Sequence, residues 1–359
     1  AVSYGFLFAA FSLPVSSDFF PLSDRNQFVI DVFLPESAPI TRTREIATQV
    51  ENVVRGLGKK TWQNGQWVAI KADEARFVNM CTMIGTGGPY NYPGLYPKDP
   101  GSNYGIVWVS TESGDQVARF IEDVKVAATR GVGQPGSEDY VPPVAGVRIV
   151  PHQLVMGTPV KSPVDIRLLG PRLGNERVFR KYGARVEEAV RNTGIAFDVH
   201  NSWGEYGRQI DVRLDEDKAN LAGVTNMDVA LSLNAYYSGH PLTKFREEDR
   251  QIPIKLRLPP SQRRSLDEID AVYVNSLMGK LPLDSVTEIS RSWQPAKLQR
   301  YQRERCFSVR TRPAAGVLYS EIIEAVQPEL DKIQAELPPG YRIEHGGTKE
   351  EADKGLAMN

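Results

Sequence analysis

The chain has 359 residues, 41% of them hydrophobic and 24% charged, which is the balance of a globular protein of two or three domains and excludes a disordered or collagen-like chain. Lys and Arg number 43 against 44 Asp and Glu, so the net charge is −1 and the basic excess of a nucleic-acid binder is missing. The two cysteines, Cys81 and Cys306, lie too far apart in sequence for a CxxC pair and supply no disulfide framework.

Residues 1–15 (AVSYGFLFAAFSLPV) carry no charge, and no Lys or Arg precedes Arg25. A bilayer span needs about 20 apolar residues, and a signal peptide starts with a basic stretch. The segment reads as the tail of a truncated membrane helix, with a buried terminal helix or strand as the alternative. Residues 27–34 (QFVIDVFL) alternate with period two, a strand stopped by Pro35. Residues 41–57 place Ile46, Val50, Val53, Val54 and Leu57 on one helical face, and Gly58 follows as a stop. Strands are predicted at 77–84, 104–109 and 147–156, and a second amphipathic helix at 115–128 carries Val117, Phe120, Ile121 and Val124. The order β-α-β-β-α-β is the ferredoxin-like pattern.

The pattern then restarts. A strand at 164–169, a helix at 176–190 and a strand at 195–199 are followed, after an insert of about 90 residues, by a strand at 307–311, a helix at 317–337 and a strand at 341–344. Pro328 is expected to bend or split that last helix. The insert contains strand patterns at 210–214, 252–258 and 271–274 and should form a subdomain of its own. Residues 349–359 form a helical pattern.

Residues 85–105 (GTGGPYNYPGLYPKDPGSNYG) hold six glycines, four prolines and four tyrosines. Long loops inside compact units are uncommon and often functional, so aromatic residues between flexible hinges point to a ligand path, against the alternative of a plain surface loop.

No catalytic constellation stands out. His152, His200, His240 and His345 form no HExxH, the nucleophile elbow GxSxG and the phosphate loop GxxxxGK[ST] are absent, and the glycines after residue 84 open no helix. Asp211, Asp215, Glu216 and Asp217 run from a strand into a helix start, where acids suit the helix dipole better than a cation. Cys81 and Met83 share a strand face, two soft ligands for Cu(I) at most; apolar lining is the better expectation. No enzyme activity, cofactor or metal site is expected.

Four segments carry a resemblance. FFPLSDRNQFVIDVFLPESAPITRT at 19–43, GTPVKSPVDIRLLGP at 157–171, QIDVRLDEDKANLAGVTNMDVALSL at 209–233 and LPPGYRIEHGG at 337–347 resemble, in order and spacing, the second large periplasmic loop of resistance-nodulation-division (RND) efflux transporters. The type looks like the hydrophobe/amphiphile exporters, with a metal or lipid exporter of the superfamily as the alternative. A free-standing soluble ligand-binding protein with ferredoxin-like repeats is the rival from another class. The resemblance implies an α+β fold: two ferredoxin-like porter subdomains with a docking subdomain inserted in the second. It assigns residues 1–18 to the end of a membrane helix, 19–158 to the first porter subdomain, 159–206 and 297–347 to the second, 207–296 to the docking insert and 348–359 to the start of the next membrane helix.

The implied partners are small amphiphilic molecules, a periplasmic adaptor (membrane fusion) protein and an outer-membrane channel, with three protomers in the full proton-driven pump. The implied location is the periplasmic side of a bacterial inner membrane, and the proton-relay carboxylates would lie outside this chain. By the same resemblance, Cys81, Met83, Thr86, Trp108, Val147, Ile149 and His200 fall near substrate-contact positions, and Gly85, Gly87, Gly88, Pro89, Tyr90 and Tyr92 form the switch loop. Drug exporters often place phenylalanines where Cys81, Met83 and Thr86 stand here, so the aromatic surface is reduced.

Overall fold

The computed structural model describes residues 21–71, 76–88, 92–259, 269, 272–276 and 279–357. Residues 1–20, read above as the tail of a membrane helix, lie outside them. The chain divides into two compact units, one running to Glu205 and resuming at Pro295, the other Tyr206–Gln294.

The first unit opens with β1 (Gln27–Phe33), whose alternation sends Phe28, Ile30 and Val32 to one face and Val29, Asp31 and Phe33 to the other. α1 (Ile40–Leu57) buries the predicted stripe of Ile46, Val50, Val53, Val54 and Leu57. The hairpin of β2 (Lys60–Gln63) and β3 (Gln66–Ala69) follows, turning at Asn64 and Gly65 with φ of 48° and 84°. Then come β4 (Phe77–Ile84), β5 (Tyr104–Thr111), α2 (Val117–Arg130) and β6 (Arg148–Gln153). The sheet order is β4-β5-β1-β6, with antiparallel pairing throughout. Both helices pack on one face, where Phe28 meets Phe120 edge-on at 5.3 Å. Each such large apolar side chain contributes roughly 1.5–3 kcal/mol when fully buried. The opposite face carries no helix of this half.

The second half repeats the topology. β7 (Val164–Gly170), α3 (Glu176–Asn192) and β8 (Ala196–Asn201) precede the second unit. Inside that unit β9 (Tyr206–Leu214) pairs with β14 (Thr287–Pro295). Between them lie α4 (Glu216–Ala222), α5 (Asn226–Tyr237), a hairpin of β10 (His240–Glu247) and β11 (Arg250–Leu256), and a second hairpin of β12 (Tyr273–Ser276) and β13 (Gly279–Pro282). Its core gathers Val229, Val272, Val274, Leu283 and Val286. Asp215 caps α4 by accepting the Lys218 N–H, and Thr225 with Asp228 forms a reciprocal cap on α5. Asp211 accepts from Gln209 and Ser292.

Returning to the first unit, β15 (Gln299–Tyr301), β16 (Glu304–Pro313), α6 (Tyr319–Glu336), β17 (Arg342–Gly347) and α7 (Thr348–Ala357) complete the chain. β16 pairs with β7, β7 with β17, and β8 and β15 share the outer edge of β16. The order β8-β16-β7-β17 matches that of the first sheet strand for strand. α6 is not split at Pro328: it runs unbroken and buries Ile322, Ile323, Val326, Leu330 and Ile333. Five buried apolar residues outweigh the roughly 3 kcal/mol that an interior proline costs. Trp203 closes this core between Phe179 and Phe307 and donates its indole N–H to the Cys306 carbonyl at 2.7 Å. Among the described residues no helix is long and apolar enough to cross a membrane.

Candidate functional site: the cleft between the two sheets

Strand register decides what the helix-free face of the first sheet presents. β1 and β6 pair so that Phe33 stands opposite Arg148, Asp31 opposite Val150 and Val29 opposite His152. β1 and β5 pair so that Val29 stands opposite Trp108, and β5 with β4 so that Trp108 faces Cys81 and Ile106 faces Met83. One half of the face is therefore apolar, with Val29, Tyr92, Ile106 and Leu154 buried together and Met83, Leu95 and Trp108 packed against them. The other half is charged.

Asp31 is the centre of the charged half, 2% exposed in the middle of an otherwise apolar strand. Tyr104 donates its hydroxyl to Oδ1 at 2.7 Å, His152 Nε2 lies 3.2 Å from Oδ2, and Lys98 Nζ sits 3.9 Å from the same oxygen. Burial alone would raise the Asp31 pKa. The His152 hydrogen bond and the Lys98 charge overcome it and hold the carboxyl well below the usual range. Burial pushes Lys98 down, and burial with the nearby Arg312 charge pushes His152 down. Burial and the Asp31 charge push the Tyr104 phenol up, so it stays a donor at any physiological pH.

The second half of this unit meets that face through β8 and β16. Arg148 of β6 reaches across to grip Asp198 of β8 through one nitrogen, at 2.8 and 3.1 Å, while its guanidinium stacks 3.9 Å over the Phe33 ring. His200 Nδ1 lies 3.4 Å from the same carboxylate, and Lys125 of α2 sits 4.2 Å over the Phe197 ring. Burial would raise the Asp198 pKa; the His200 hydrogen bond and the Arg148 charge lower it. A close, part-buried ion pair from Arg148 to Asp198 and one cation–π contact from Lys125 to Phe197 thus tie the halves together where their sheets approach.

Two cavities open along this seam. One, of about 270 Å³, is walled mainly by apolar groups, including Ile121, Leu154, Val155, Phe197 and Val317. The other, of about 230 Å³, is lined by six Lys and Arg side chains against four Asp and Glu. Asp31, Tyr96, Lys98 and Arg312 line both, so an apolar chamber and a charged one share a wall. Such a pair suits a molecule with an apolar body and a polar end: burial supplies affinity at roughly 25 cal/mol per Å², and few fixed polar partners leave selectivity low.

The sequence profile of the AcrB/AcrD/AcrF family matches residues 151–357. The chain belongs to the AcrB/AcrD/AcrF family. Its similarity to individual members is modest. It is 24% identical over 167 residues to the toluene efflux pump membrane transporter TtgB of Pseudomonas putida, covering 46% of this chain and 15% of that one. It is 28% identical over 147 residues to the cation efflux system protein CusA of Escherichia coli K12, covering 40% and 14%. A crystal structure of a heavy metal efflux pump superposes on 99% of the chain with a TM-score of 0.72 and 16% identity, and the match covers 34% of that pump. The chain thus spans about a third of the length of the solved pump, and its matches to the curated relatives cover about a seventh of theirs.

The residues singled out from the sequence distribute unevenly in this AcrB/AcrD/AcrF member. Cys81 is exposed on β4, and Met83, part-buried, packs into the apolar half of the face together with Trp108 and Tyr92. The Trp108 indole N–H is buried there with no hydrogen-bond partner. Thr86 is exposed and its hydroxyl accepts the Gly88 N–H at 3.3 Å. Gly85 and Gly88 take φ of 80° and 76°, conformations that glycine adopts without strain. Pro89 and Tyr90 lie outside the described residues. His200 lines the charged cavity.

Val147 and Ile149 do not share this site: both pack against the helix-side core, because Ile149 stands opposite Val32 of β1. Their neighbours Arg148, Val150 and His152 carry the cleft face instead. Asp31, Lys98, His152, Asp198 and Arg312 were missed. The available signal was a lone aspartate inside the apolar run FVIDVF and two arginines at alternate positions of VRTR.

Proposed function

We propose that this chain is the periplasmic, substrate-binding and docking portion of a proton-driven RND efflux transporter whose cargo is small amphiphilic molecules. The observation that carries this is the cleft itself: an apolar chamber joined to a charged one between two ferredoxin-like halves, in a chain of the AcrB/AcrD/AcrF family. In this reading residues 19–158 form one porter subdomain, 159–206 with 297–347 form the other, and 207–296 form the docking insert that meets the adaptor and the outer-membrane channel. Three protomers make the pump. The chain moves its ligand and transforms nothing, so it is not an enzyme. The exposed Leu242, Phe245, Ile252, Ile254 and Leu256 on the β10–β11 hairpin support an assembly role for the insert, since exposed apolar clusters mark contact surfaces. Met83, Trp108 and Tyr92 pack together with Leu95 and Leu154 of the apolar chamber's wall, and His200 stands at the charged end.

Ala315 tests the reading. It is exposed and lines the apolar cavity outside any regular element, so a tryptophan there fills the chamber without entering a core. In a bacterial strain without its own pumps, the full-length transporter carrying Ala315→Trp should lose resistance to dyes and detergents several-fold at equal expression. Unchanged resistance would remove the cleft from the transport path. A metal exporter is the second reading, favoured by Cys81 and Met83 on one face of β4 and by the likeness to CusA. It predicts sensitivity to copper or silver, rather than to dyes, on replacing Met83 by leucine.

A further inference from the structure

Arg312 occupies an unusual position among the charged groups of the seam. It lies part-buried near the end of β16 and lines both cavities. Among the described residues its guanidinium makes neither a hydrogen bond nor an ion pair. Three of the other cations of the chamber are paired: Arg310 with Gln299 at 3.0 Å and Asp165 at 3.5 Å, Arg148 with Asp198, and Lys98 with Asp31, while Lys161 and Lys297 are exposed. The two carboxylates whose charge reaches Arg312, Asp31 and Asp198, have both oxygens occupied, by Tyr104 and His152 in one case and Arg148 in the other. A guanidinium has five N–H donors and no acceptor, and it cannot discharge itself. Removing it from water without a partner is costly. Burial pushes its pKa down, while its nitrogens stay open to the two cavities.

Two further observations define what would satisfy it. The charged chamber holds six cationic side chains against four anionic ones, so its field favours an anion. On the other side of Arg312, Leu95, Ile121, Leu154, Val155, Phe197 and Val317 wall the apolar chamber. A planar guanidinium binds carboxylate, sulfonate or phosphate through paired hydrogen bonds, where an ammonium offers only a point charge. We propose that Arg312 is the head-group residue of the cleft, holding the acidic head of an amphiphile whose apolar part fills the neighbouring chamber. This deepens the amphiphile reading and rests on it: it makes acid-headed amphiphiles the favoured cargo and basic ones the disfavoured.

Matched tails with different heads provide the test. Sub-micellar dodecanoate, dodecanol and dodecylamine are each used to displace the neutral fluorophore 1-N-phenylnaphthylamine from the purified chain. Dodecanoate should bind about tenfold more tightly than dodecylamine, the worth of one charge-assisted hydrogen-bonded contact. Arg312→Met should bring the ratio close to one while dodecanol binding is retained, and Arg312→Lys should keep part of the preference. Thermal melting of each variant confirms its fold, and Arg312→Gln replaces Arg312→Met if the latter melts within the assay range. A wild-type ratio near one, or a ratio unaltered by Arg312→Met, overturns the role of Arg312 and leaves the cleft reading standing. Failure of all three lipids to displace a bound fluorophore overturns the cleft reading and the proposal with it.

Discussion

Replacing Asp31 by asparagine removes a buried charge while keeping the shape of the side chain. The Tyr104 hydroxyl, 2.7 Å away, still finds an acceptor, but the His152 contact at 3.2 Å loses its charge assistance and Lys98 at 3.9 Å loses its counter-ion. A hydrogen bond to a charged group is worth about 1.5–3 kcal/mol, and the long Lys98 contact adds less. Asp31→Asn should therefore cost about 2–3 kcal/mol. For a subdomain of roughly 130 residues the unfolding entropy is near 0.3 kcal/mol/K, so its melting temperature should fall by about 7–11 °C. The effect depends on pH with a definite sign. The folded pKa of Asp31 is depressed, so its contribution is complete above the unfolded value near 4 and is lost as pH falls below it toward the folded value. The gap between wild type and Asp31→Asn, followed by circular dichroism from pH 7 to pH 2.5, should be constant down to about pH 4 and narrow below it. Equal melting of the two proteins at pH 7 would refute the network as a structural anchor of the cleft face.

Three further outcomes follow from other groups. His152 has a folded pKa below its ordinary 6.5, so the unfolded chain takes up its proton first and stability should drop as pH falls through that value; His152→Gln should flatten this slope, and an unaltered slope would assign it elsewhere. Iodoacetamide should label Cys81 in the native protein and Cys306 only after denaturation, since the first is exposed and burial pushes the second thiol up; intact mass with one adduct, then two, checks this. Gly88→Ala puts a Cβ against the Met83 sulfur at a φ of 76°, so in the full-length transporter it should impair export of large substrates more than small ones, as drug susceptibility at matched expression would show.

The two β-α-β-β-α-β halves were legible because their helices and strands carry clean periodicities: α1 buries the stripe read from residues 41–57. The β2–β3 hairpin was not read, although Asn64-Gly65 between residues 60–63 and 66–69 is the strongest local hairpin signal. α4 and α5 were blurred because α5 has apolar residues spread around it, while its cap at Thr225 and Asp228 was a usable sign. The site was harder for a physical reason. Val147 and Ile149 were named from the family resemblance of their strand, which does not say which face of it lines the cleft; they face the helices. The cleft uses the opposite face of the same strand, where Arg148 and His152 stand. Asp31 and His152 are 121 residues apart and meet only through the β1–β6 register, which no local pattern reveals.

Covalent mapping tests most directly whether the ligand sits in the cleft. A fatty acid carrying a diazirine near its tail end, photolysed on the purified chain and located by peptide mass spectrometry, should mark the walls of the apolar chamber: the peptides around Leu154, Phe197 and Val317. Excess dodecanoate should abolish that labelling. Adducts confined to the exposed β10–β11 hairpin, or spread over the surface and indifferent to competitor, would contradict it.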